Sequence, residues 1–212
     1  MVDAAPLIRH EVMLGRSEQG RPILAWESGD PNAKRRVLVI GCIHGNEPAG
    51  IAIANAVTHA HVPAGTDVWV VPDLNPDGFA ANTRQNARGV DLNRNFPYLW
   101  QPLSGTFYSG PRGLSERESR IAYNLIRRVR PTVSIWFHQH LNVVDESGGD
   151  VRVERRFARL VGMRSKQLSR DPGSVAGWEN HTFPGTTAFI VELPAGPVPA
   201  QRIGVFTRAI LS

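Results

Sequence analysis

The stretch Arg36–Glu47, with the sequence RVLVIGCIHGNE, decides the fold of the first half of this chain. Its first five residues, Arg36–Ile40, form a β-branched run that is typical of a buried strand, and Gly41 ends it. His44 and Glu47 follow, with two residues between them. They therefore lie at the carboxyl end of a predicted strand, where open α/β sheets bind their ligands.

Imidazole and carboxylate side chains in this position are a recurring ligand pair for zinc. A catalytic zinc needs a third protein ligand and keeps one position open for water. A lone His-x-x-Glu motif is weak evidence for a metal. The interpretation therefore depends on whether other parts of the chain bring suitable side chains to the same edge of the sheet.

The length and composition are those of one globular domain. The chain has 212 residues, 42% apolar and 20% charged, and no apolar run reaches the ~20 residues that span a bilayer. We predict a single domain over residues 1–212, with residues 1–13 as an extended N-terminal segment. Cys42 is the only cysteine, which excludes an intramolecular disulfide, and we interpret it as a small buried apolar residue.

The chain is basic, with a net charge of +5 and a pI of about 10.1. Nucleic-acid binding would need a concentrated basic stripe with aromatic residues interleaved. We interpret the two arginine clusters as solvated helix faces and expect no nucleic-acid partner, although a basic surface would steer an anionic polymer towards the protein. These clusters are Arg127, Arg128 and Arg130, and Arg152, Arg155, Arg156 and Arg159.

The first residues, Met1–Pro6, have neither the charged nor the apolar region of a signal peptide. The compartment stays open: the cell envelope if a signal peptide has been removed, and the cytoplasm otherwise. The sequence does not decide the oligomeric state.

Strand-like runs alternate with helical patterns along the chain. The predicted strands are Arg36–Gly41, Asp67–Pro72, Thr132–His138 and Thr187–Leu193, and the predicted helices are Ala49–Ala60, Ser115–Val129, Arg152–Val161 and Gln201–Leu211. Ser115-x-x-Glu118 is a capping-box pattern that opens the second helix. The alternation predicts an α/β fold with one twisted, mixed β-sheet and helices on both faces. The long segment from Pro72 to Gly113 is a predicted functional loop.

Two further strand ends carry candidate site residues. His138 ends the third predicted strand, and Glu192 lies near the end of the fourth. With His44 and Glu47, His138 completes a set of three zinc ligands that leaves a position for water. Glu192 is then a second carboxylate, not a ligand, that can accept a proton from that water.

Each of these assignments has a structural alternative. His138 could be a histidine satisfied beside the sheet, and Glu192 could be a surface carboxylate. Burial of Glu192 between Val191 and Leu193 would be unfavourable without a role or a partner. His140 lies on the same face of an extended strand as His138. We favour His138 as the ligand because it follows the apolar run directly.

The segment Thr83–Phe96, with the sequence TRQNARGVDLNRNF, carries the most specific pattern. Its Arg-x-Asn and Gly-Val-Asp-Leu-Asn-Arg-Asn-Phe elements resemble the signature of the zinc carboxypeptidase family. The His-Gly-Asn-Glu motif, the later histidine, the strand-end glutamate and the segment Gly15–Ile23 occur in that family's order. The resemblance extends from about Leu14 to Leu193 and implies a zinc carboxypeptidase-like fold and a zinc-dependent hydrolase.

The resemblance also implies roles for single residues. His44, Glu47 and His138 would bind one zinc ion. Glu192 would be the general base that activates the attacking water and then protonates the leaving amine. Asp91 would orient the first zinc histidine, a kind of support that metal sites usually have.

Three polar residues of the same segment would bind the substrate. Arg84 would stabilise the developing oxyanion, and Asn93 with Arg94 would bind the terminal carboxylate of the substrate. Turn formation is the structural alternative for Asn93 and Asp91, but it does not account for the ordered set.

Departures from the digestive carboxypeptidases bear on the substrate. No tyrosine occurs after Tyr123, so the tyrosine of those enzymes cannot be placed. The compact chain is similar to small bacterial members of the family, which include murein peptide amidases that cleave the γ-D-glutamyl–diaminopimelate bond. Asp145 could meet a substrate amine, although a surface position is its simpler interpretation. Gly173–Trp178, where carboxypeptidases build their side-chain pocket, offers no charged anchor.

We therefore expect zinc-dependent hydrolysis of an amide next to a free carboxylate, in a murein peptide or another peptide. Three alternatives stay open: an ordinary metallocarboxypeptidase, a deacylase of N-acyl amino acids, and an inactive module that binds wall polymer. The complete ligand set with Glu192 argues against the inactive module. Arg84, Asn86 and the run Gly89–Phe96 favour the peptidase branch over the deacylases.

Overall fold

The computed structural model describes residues 8–212. These residues form a seven-stranded mixed β-sheet with six flanking helices. The strands are β1 (Ile8–Arg16), β2 (Pro22–Gly29), β3 (Arg35–Ile40), β4 (Thr66–Val71), β5 (Val133–Asp145), β6 (Arg164–Lys166) and β7 (Thr187–Pro194). The helices are α1 (Ala49–Thr58), α2 (Pro76–Ala81), α3 (Arg117–Val129), α4 (Val151–Leu160), α5 (Val175–Thr182) and α6 (Ala200–Leu211). The predicted single-domain α/β fold is confirmed.

The parallel strands occupy the middle of the sheet. Strands β4, β3, β5 and β7 lie side by side and run parallel, while β1 and β2 extend the β4 edge in antiparallel fashion. The short β6 pairs only with the far end of β5. The carboxyl ends of β3, β5 and β7 therefore meet at one edge of the sheet, which is where ligands bind in folds of this kind.

Strand β3 shows why the central strands are continuous apolar runs. Val37 and Val39 pack on the side of the sheet that α1, α4 and α6 cover. Leu38 and Ile40 pack on the opposite side, against α3 and α5. Because both faces are buried from Val37 to Ile40, every position of this part of β3 is apolar, and the alternation of polar and apolar residues that marks a half-exposed strand is missing.

All eight predicted elements are present, with shifted ends. Strand β5 continues to Asp145, well beyond the predicted end at His138. The predictions left out β1, β2, β6, α2 and α5. Helix α2 divides the segment predicted as a loop, and it had a sequence signal: Pro76 occupies its first turn, and the Asn75 side chain accepts a hydrogen bond from Gly78 N at 3.0 Å.

The capping-box prediction for the second helix is wrong. Helix α3 begins at Arg117, and Glu116 occupies the N-cap position without a side-chain cap. The Glu118 carboxylate instead accepts hydrogen bonds from the Asn86 side chain and from the backbone of Glu18, both at 3.0 Å. Glu118 is fully buried, and this longer-range contact connects α3 to two loops.

Other predictions concern single residues and segments. Cys42 is buried as expected, and burial raises the pKa of its thiol. The arginines of both clusters are exposed, as expected for solvated surfaces. Residues 1–7 of the predicted N-terminal segment lie outside the described residues, and the chain from Ile8 onward forms β1. Among the helices of residues 8–212, none is long and apolar enough to span a membrane.

Candidate active site

The candidate site is assembled at the carboxyl ends of three parallel strands. His44 and Glu47 lie in the turn between β3 and α1, His138 lies in β5, and Glu192 lies in β7. In the register of β5 and β7, the Cα atoms of His138 and Glu192 are direct partners. The strand order, with β3 beside β5 and β5 beside β7, therefore brings the four side chains to one place.

The side chains of His44, Glu47 and His138 meet at one point. His44 Nδ1 lies 3.0 Å from Glu47 Oε2, and His138 Nδ1 lies 3.1 Å from both of these atoms. The three residues are buried, with 1%, 9% and 3% of their surface exposed. Across residues 8–212, this is the group of His, Cys, Asp or Glu side chains that is close enough to hold a metal ion.

A hydrogen bond to Asp91 sets the protonation of His44. Asp91 Oδ1 lies 3.0 Å from His44 Nε2, and because an ionised carboxylate only accepts, the proton is on Nε2. In neutral His44, the Nδ1 lone pair then faces both the Glu47 oxygen and His138. Three electron-rich atoms that point at each other fit a divalent cation.

Electrostatics at this point favour a positive charge. Burial lowers the pKa of His44 and is the largest single effect, but the neighbouring carboxylates of Asp91 and Glu47 together outweigh it, so the net shift is upward. Burial would raise the pKa of Glu47, but the neighbouring imidazoles of His138 and His44 hold it well below its ordinary value. The pKa of Asp91 is likewise held well below its ordinary value, against the effect of burial, by His44 and Arg84. The carboxylates of Glu47 and Asp91 are therefore ionised, and they would stabilise a cation among the three side chains.

Arg84 connects the candidate metal group to Asp91. Its Nε donates to Asp91 Oδ2 at 2.8 Å, and its Nη1 donates to Glu47 Oε1 at 2.9 Å. The side chain is 20% exposed. Because a guanidinium has five N–H donors, Arg84 keeps donors for a negatively charged oxygen in the cavity.

Arg94 and Asn93 lie in the short 3₁₀ turn Leu92–Arg94. Arg94 is buried, and its Nη2 donates to Asp171 Oδ2 at 2.6 Å. The Asn93 side chain accepts from Val175 N at 3.0 Å, which fixes the turn against α5. A guanidinium that binds one carboxylate can bind a second through its other donors.

A cavity of about 210 Å³ contains the predicted site. Seven of the eight residues assigned from the sequence line it: His44, Glu47, Arg84, Asn93, Arg94, His138 and Glu192. Asp91 is fully buried behind His44. The structure thus brings together all of the predicted site residues.

Glu192 reaches the cavity because of strand alternation. Val191 and Leu193 are completely buried in the core, whereas Glu192 is half-buried and lines the cavity. Leu141 N lies 3.5 Å from Glu192 Oε2. Glu192 and its two neighbours differ in this way because successive side chains of a strand point to opposite faces.

The sequence left His138 and His140 as alternative metal ligands, and the structure places only His138 in the candidate metal group among residues 8–212. The pairing of β5 with β7 becomes irregular after His140, and Asn142 has a φ of 54°. The assumption of a regular extended strand therefore does not hold there. His140 is exposed and lines a neighbouring cleft of about 520 Å³, and in the described part of the chain it does not join the candidate metal group.

Three residues near the site were missed or misjudged from the sequence. Asp145 is buried and lines the cavity, so its interpretation as a surface residue is wrong. Asp171, the partner of Arg94, had no signal because it lies 77 residues away in the chain. Phe107 was also missed. The guanidinium carbons of Arg84 and Arg94 lie 5.4 and 5.2 Å from the centre of its ring, within the range of cation–π contacts.

The fold and the site define a class of hydrolase. The sequence profile of the family described as zinc carboxypeptidase matches residues 1–146, and the chain belongs to this family. The matched segment contains the three residues of the candidate metal group. Glu192 and Asp171 lie beyond it.

Two sequence relatives and one solved structure are similar to this chain. Murein peptide amidase A of Escherichia coli (strain K12) is 29% identical over 146 residues, which cover 62% of this chain and 60% of the relative. Metallocarboxypeptidase A of Trichophyton tonsurans is 34% identical over 135 residues, covering 47% of this chain and 32% of that protein. The crystal structure of murein-tripeptide amidase from Escherichia coli O157 has the same fold, with a TM-score of 0.78 at 22% identity over 99% of this chain and 94% of that one.

Proposed function

We propose that this protein is a zinc-dependent hydrolase of an amide bond next to a free carboxylate, and that its substrate is a murein peptide with a γ-D-glutamyl–diaminopimelate bond. One observation carries the reaction type. The candidate metal group, a half-buried carboxylate (Glu192) and a buried guanidinium (Arg94) line one cavity. These are the groups needed to activate water, transfer a proton and hold a carboxylate.

His44, Glu47 and His138 would hold the zinc ion, and membership of the zinc carboxypeptidase family supports zinc as the metal. Three protein ligands leave a position open for water or substrate. Bound zinc supplies a Lewis acid that polarises the scissile carbonyl and lowers the pKa of water.

Glu192 moves the proton in this proposal. Its carboxylate accepts a proton from water as the water oxygen bonds to the carbonyl carbon. The same carboxyl group then gives the proton to the amide nitrogen as the C–N bond breaks, so Glu192 ends the cycle ionised. Arg84 donates to the carbonyl oxygen while negative charge develops on it, an effect that is strong in a site shielded from water.

Arg94 and Asn93 hold the substrate in place. The Arg94 guanidinium binds the free carboxylate of the leaving residue, with the Asn93 amide beside it in the cavity wall. This contact sets the distance between that carboxylate and the metal group. It therefore explains why the bond cleaved lies next to a free carboxylate.

The murein assignment is supported by charge near the site. Gly173–Trp178 contributes only uncharged residues to an adjoining pocket of about 370 Å³, but Asp145, Arg170 and Asp171 also line that pocket. Gly173–Trp178 itself offers no charged anchor, as expected from the sequence, and the charged groups of the pocket come from other segments of the chain. Diaminopimelate carries a second amino-carboxylate end that suits such a lining, and a relative of this chain is named murein peptide amidase A.

The test incubates the zinc-loaded protein with two peptides of equal length, L-alanyl-γ-D-glutamyl-diaminopimelate and an α-linked L-tripeptide, and with N-succinylglutamate as a third substrate. We expect a higher kcat/KM on the γ-linked peptide, with free diaminopimelate identified by mass spectrometry. A preference for the α-linked peptide would make the protein an ordinary metallocarboxypeptidase. Turnover of N-succinylglutamate alone would indicate a deacylase, and binding of wall peptides without any turnover would indicate an inactive module.

A further inference from the structure

An exposed aromatic ring, that of Phe107, lies against two side chains of the candidate active site. Phe107 is the last residue of the short 3₁₀ turn Gly105–Phe107, which has no buried residue, and 49% of its surface is exposed. Within residues 8–212, Phe107 is not part of the hydrophobic clusters that pack on the faces of the sheet. Packing of the core therefore does not account for a phenylalanine at this position.

Hydrogen bonds fix this turn to the segment that carries Arg84. The Thr106 carbonyl accepts from Gln85 Nε2 at 2.8 Å, and Gln85 follows Arg84 in the chain. The Tyr108 carbonyl accepts from Asp91 N at 2.8 Å. Asp91 is also the carboxylate that accepts from Arg84 Nε. Both chain neighbours of the ring are therefore connected to residues that lie next to Arg84 or bind it.

The turn is fixed to the segment that carries Arg94 as well. The Ser109 carbonyl accepts from Asn95 Nδ2 at 2.8 Å, and Asn95 follows Arg94 in the chain. Ser109 is completely buried, and its hydroxyl donates to the Gln101 carbonyl at 2.8 Å. The backbone of this loop therefore sets the position of the Phe107 ring relative to both arginines.

The ring adds a contact that the hydrogen bonds of the two arginines do not supply. The guanidinium carbons of Arg84 and Arg94 lie over the Phe107 ring, 5.4 and 5.2 Å from its centre. Their carboxylate partners bind N–H groups, which lie in the plane of a guanidinium. The face of an aromatic ring attracts a cation, and more strongly where water is excluded. Both arginine side chains are largely buried, so this attraction helps to hold them in place.

We propose that Phe107 is a positioning residue that holds the guanidinium groups of Arg84 and Arg94 at a fixed spacing, so that the scissile carbonyl and the free carboxylate of the substrate are bound together. The roles of the two arginines rest on the proposed function. One ring in contact with both connects carboxylate binding to stabilisation of the developing oxyanion. Small errors in this spacing lower the rate, because the reacting groups must be closely aligned.

Substitutions at Phe107 separate the aromatic contact from simple packing. Phe107→Ala should lower kcat and raise KM, each by about 3- to 30-fold, on the peptide that the zinc-loaded protein cleaves. Phe107→Tyr keeps the ring and should restore both constants, whereas Phe107→Leu keeps only apolar volume and should resemble Phe107→Ala. Phe79→Ala is the matched control and should change neither constant, because Phe79 is 47% exposed in α2 and does not line the cavity.

Double-mutant kinetics test whether Phe107 acts through the arginines. The effect of Phe107→Ala on KM should disappear in the Arg94→Ala background, and its effect on kcat should disappear in the Arg84→Ala background. A role in folding alone would instead give the same loss in every background and would lower the free energy of unfolding. We expect that free energy to stay close to the wild-type value, because the ring is half exposed.

One measurement needs no turnover. Arg84 Nε donates to Asp91 Oδ2 at 2.8 Å, so its N–H group should exchange slowly and give a signal in a ¹H–¹⁵N spectrum. This signal should shift in Phe107→Leu, which removes the ring current next to it. It should not shift in Phe79→Leu.

Wild-type kinetics in Phe107→Leu, or an undiminished effect of Phe107→Ala in both arginine backgrounds, would overturn the proposal. Failure of the proposed function has a different result: α-linked peptides are cleaved in place of the γ-linked one, or no amide is cleaved. With α-linked peptides, the same kinetic comparisons decide the role of Phe107. Without any turnover, a shifted Arg84 signal in Phe107→Leu would support the positioning role, and an unchanged signal would overturn it.

Discussion

The Cα atoms of His138 and Glu192 stand directly opposite each other on the parallel strands β5 and β7. Side chains at the same register of adjacent parallel strands point to the same side of the sheet. A candidate metal ligand and the candidate proton acceptor therefore project into one cavity. This pairing is the geometric basis of the proposed mechanism, because water held near His138 is also near Glu192.

Removal of either candidate histidine ligand should abolish metal binding. We expect His44→Ala and His138→Ala to lose the full equivalent of zinc that the wild type binds, because two ligands hold zinc much more weakly than three. Elemental analysis measures this directly. His140→Ala is the matched control and should retain zinc, since His140 lies outside the candidate metal group. If His140→Ala loses zinc and His138→Ala retains it, His140 is the ligand.

Removal of the metal is a separate test. A chelator should abolish activity, and added zinc should restore it.

Substitution of Glu192 should separate metal binding from turnover. Glu192→Gln should keep its zinc and lose about 10²–10⁴-fold in kcat, because the amide cannot accept the proton of the attacking water. Steady-state kinetics with parallel zinc analysis tests this. Turnover within a factor of a few of the wild type would identify another residue as the base.

Substitutions of the two arginines of the cavity should change different kinetic constants. Arg84→Ala removes a contact made mainly in the transition state, so kcat should fall with little change in KM. Arg94→Ala removes the carboxylate-binding group, so KM should rise strongly.

A blocked substrate provides the control for Arg94. Conversion of the substrate carboxylate to an amide should reduce the kcat/KM of the wild type far more than that of Arg94→Ala. Equal sensitivity in the two proteins would show that Arg94 does not bind this carboxylate.

Gly45 of the His-Gly-Asn-Glu motif packs so closely against α2 that a larger residue should not fit there. An added Cβ would lie 1.9 Å from the carbonyl carbon of Gly78 and 2.1 Å from Phe79 N, in α2. We expect Gly45→Ala to lower the free energy of unfolding by about 1–3 kcal/mol, as for other overpacked sites, and to weaken metal binding. Chemical denaturation measures the first effect. Gly113→Ala, where the nearest atom would be 3.5 Å away, is the control and should be close to neutral.

The buried Glu179 should make stability depend on pH. Burial raises its pKa from 4.5 to about 7, against the opposing hydrogen bonds from Ser134 and Trp136. The folded state therefore binds this proton more tightly than the unfolded chain. The stabilising contribution of the protonated carboxyl is complete below pH 4.5 and is lost as the pH rises through about 7.

Glu179→Gln should remove this dependence. Its free energy of unfolding should rise relative to that of the wild type between these pH values, by about 1.4 kcal/mol for each unit of pKa shift. Denaturation curves of both proteins at pH 4, 6 and 8 test this. A constant difference between them would show that Glu179 titrates outside this range.

The sequence by itself determined the four central strands and the positions of the candidate ligands. These features are local: a β-branched run specifies a buried strand, and a residue that follows it must lie at the strand end. The segment Gly89–Phe96 was informative through its resemblance to the zinc carboxypeptidase signature, and in the structure Asp91 also caps its own turn by accepting from Asn93 N at 2.9 Å. The edge strands β1 and β2 lacked such a clear pattern and were missed.

Only the tertiary structure decided which distant groups meet. The bond between Arg94 and Asp171, the burial of Asp145 and the separation of His138 from His140 all depend on how strands and loops pack. A charged residue has the same local sequence pattern whether it faces solvent or a cavity. The physical reason is that local preferences act within a few residues of the chain, whereas these contacts are set by sheet register and by the packing of loops against it.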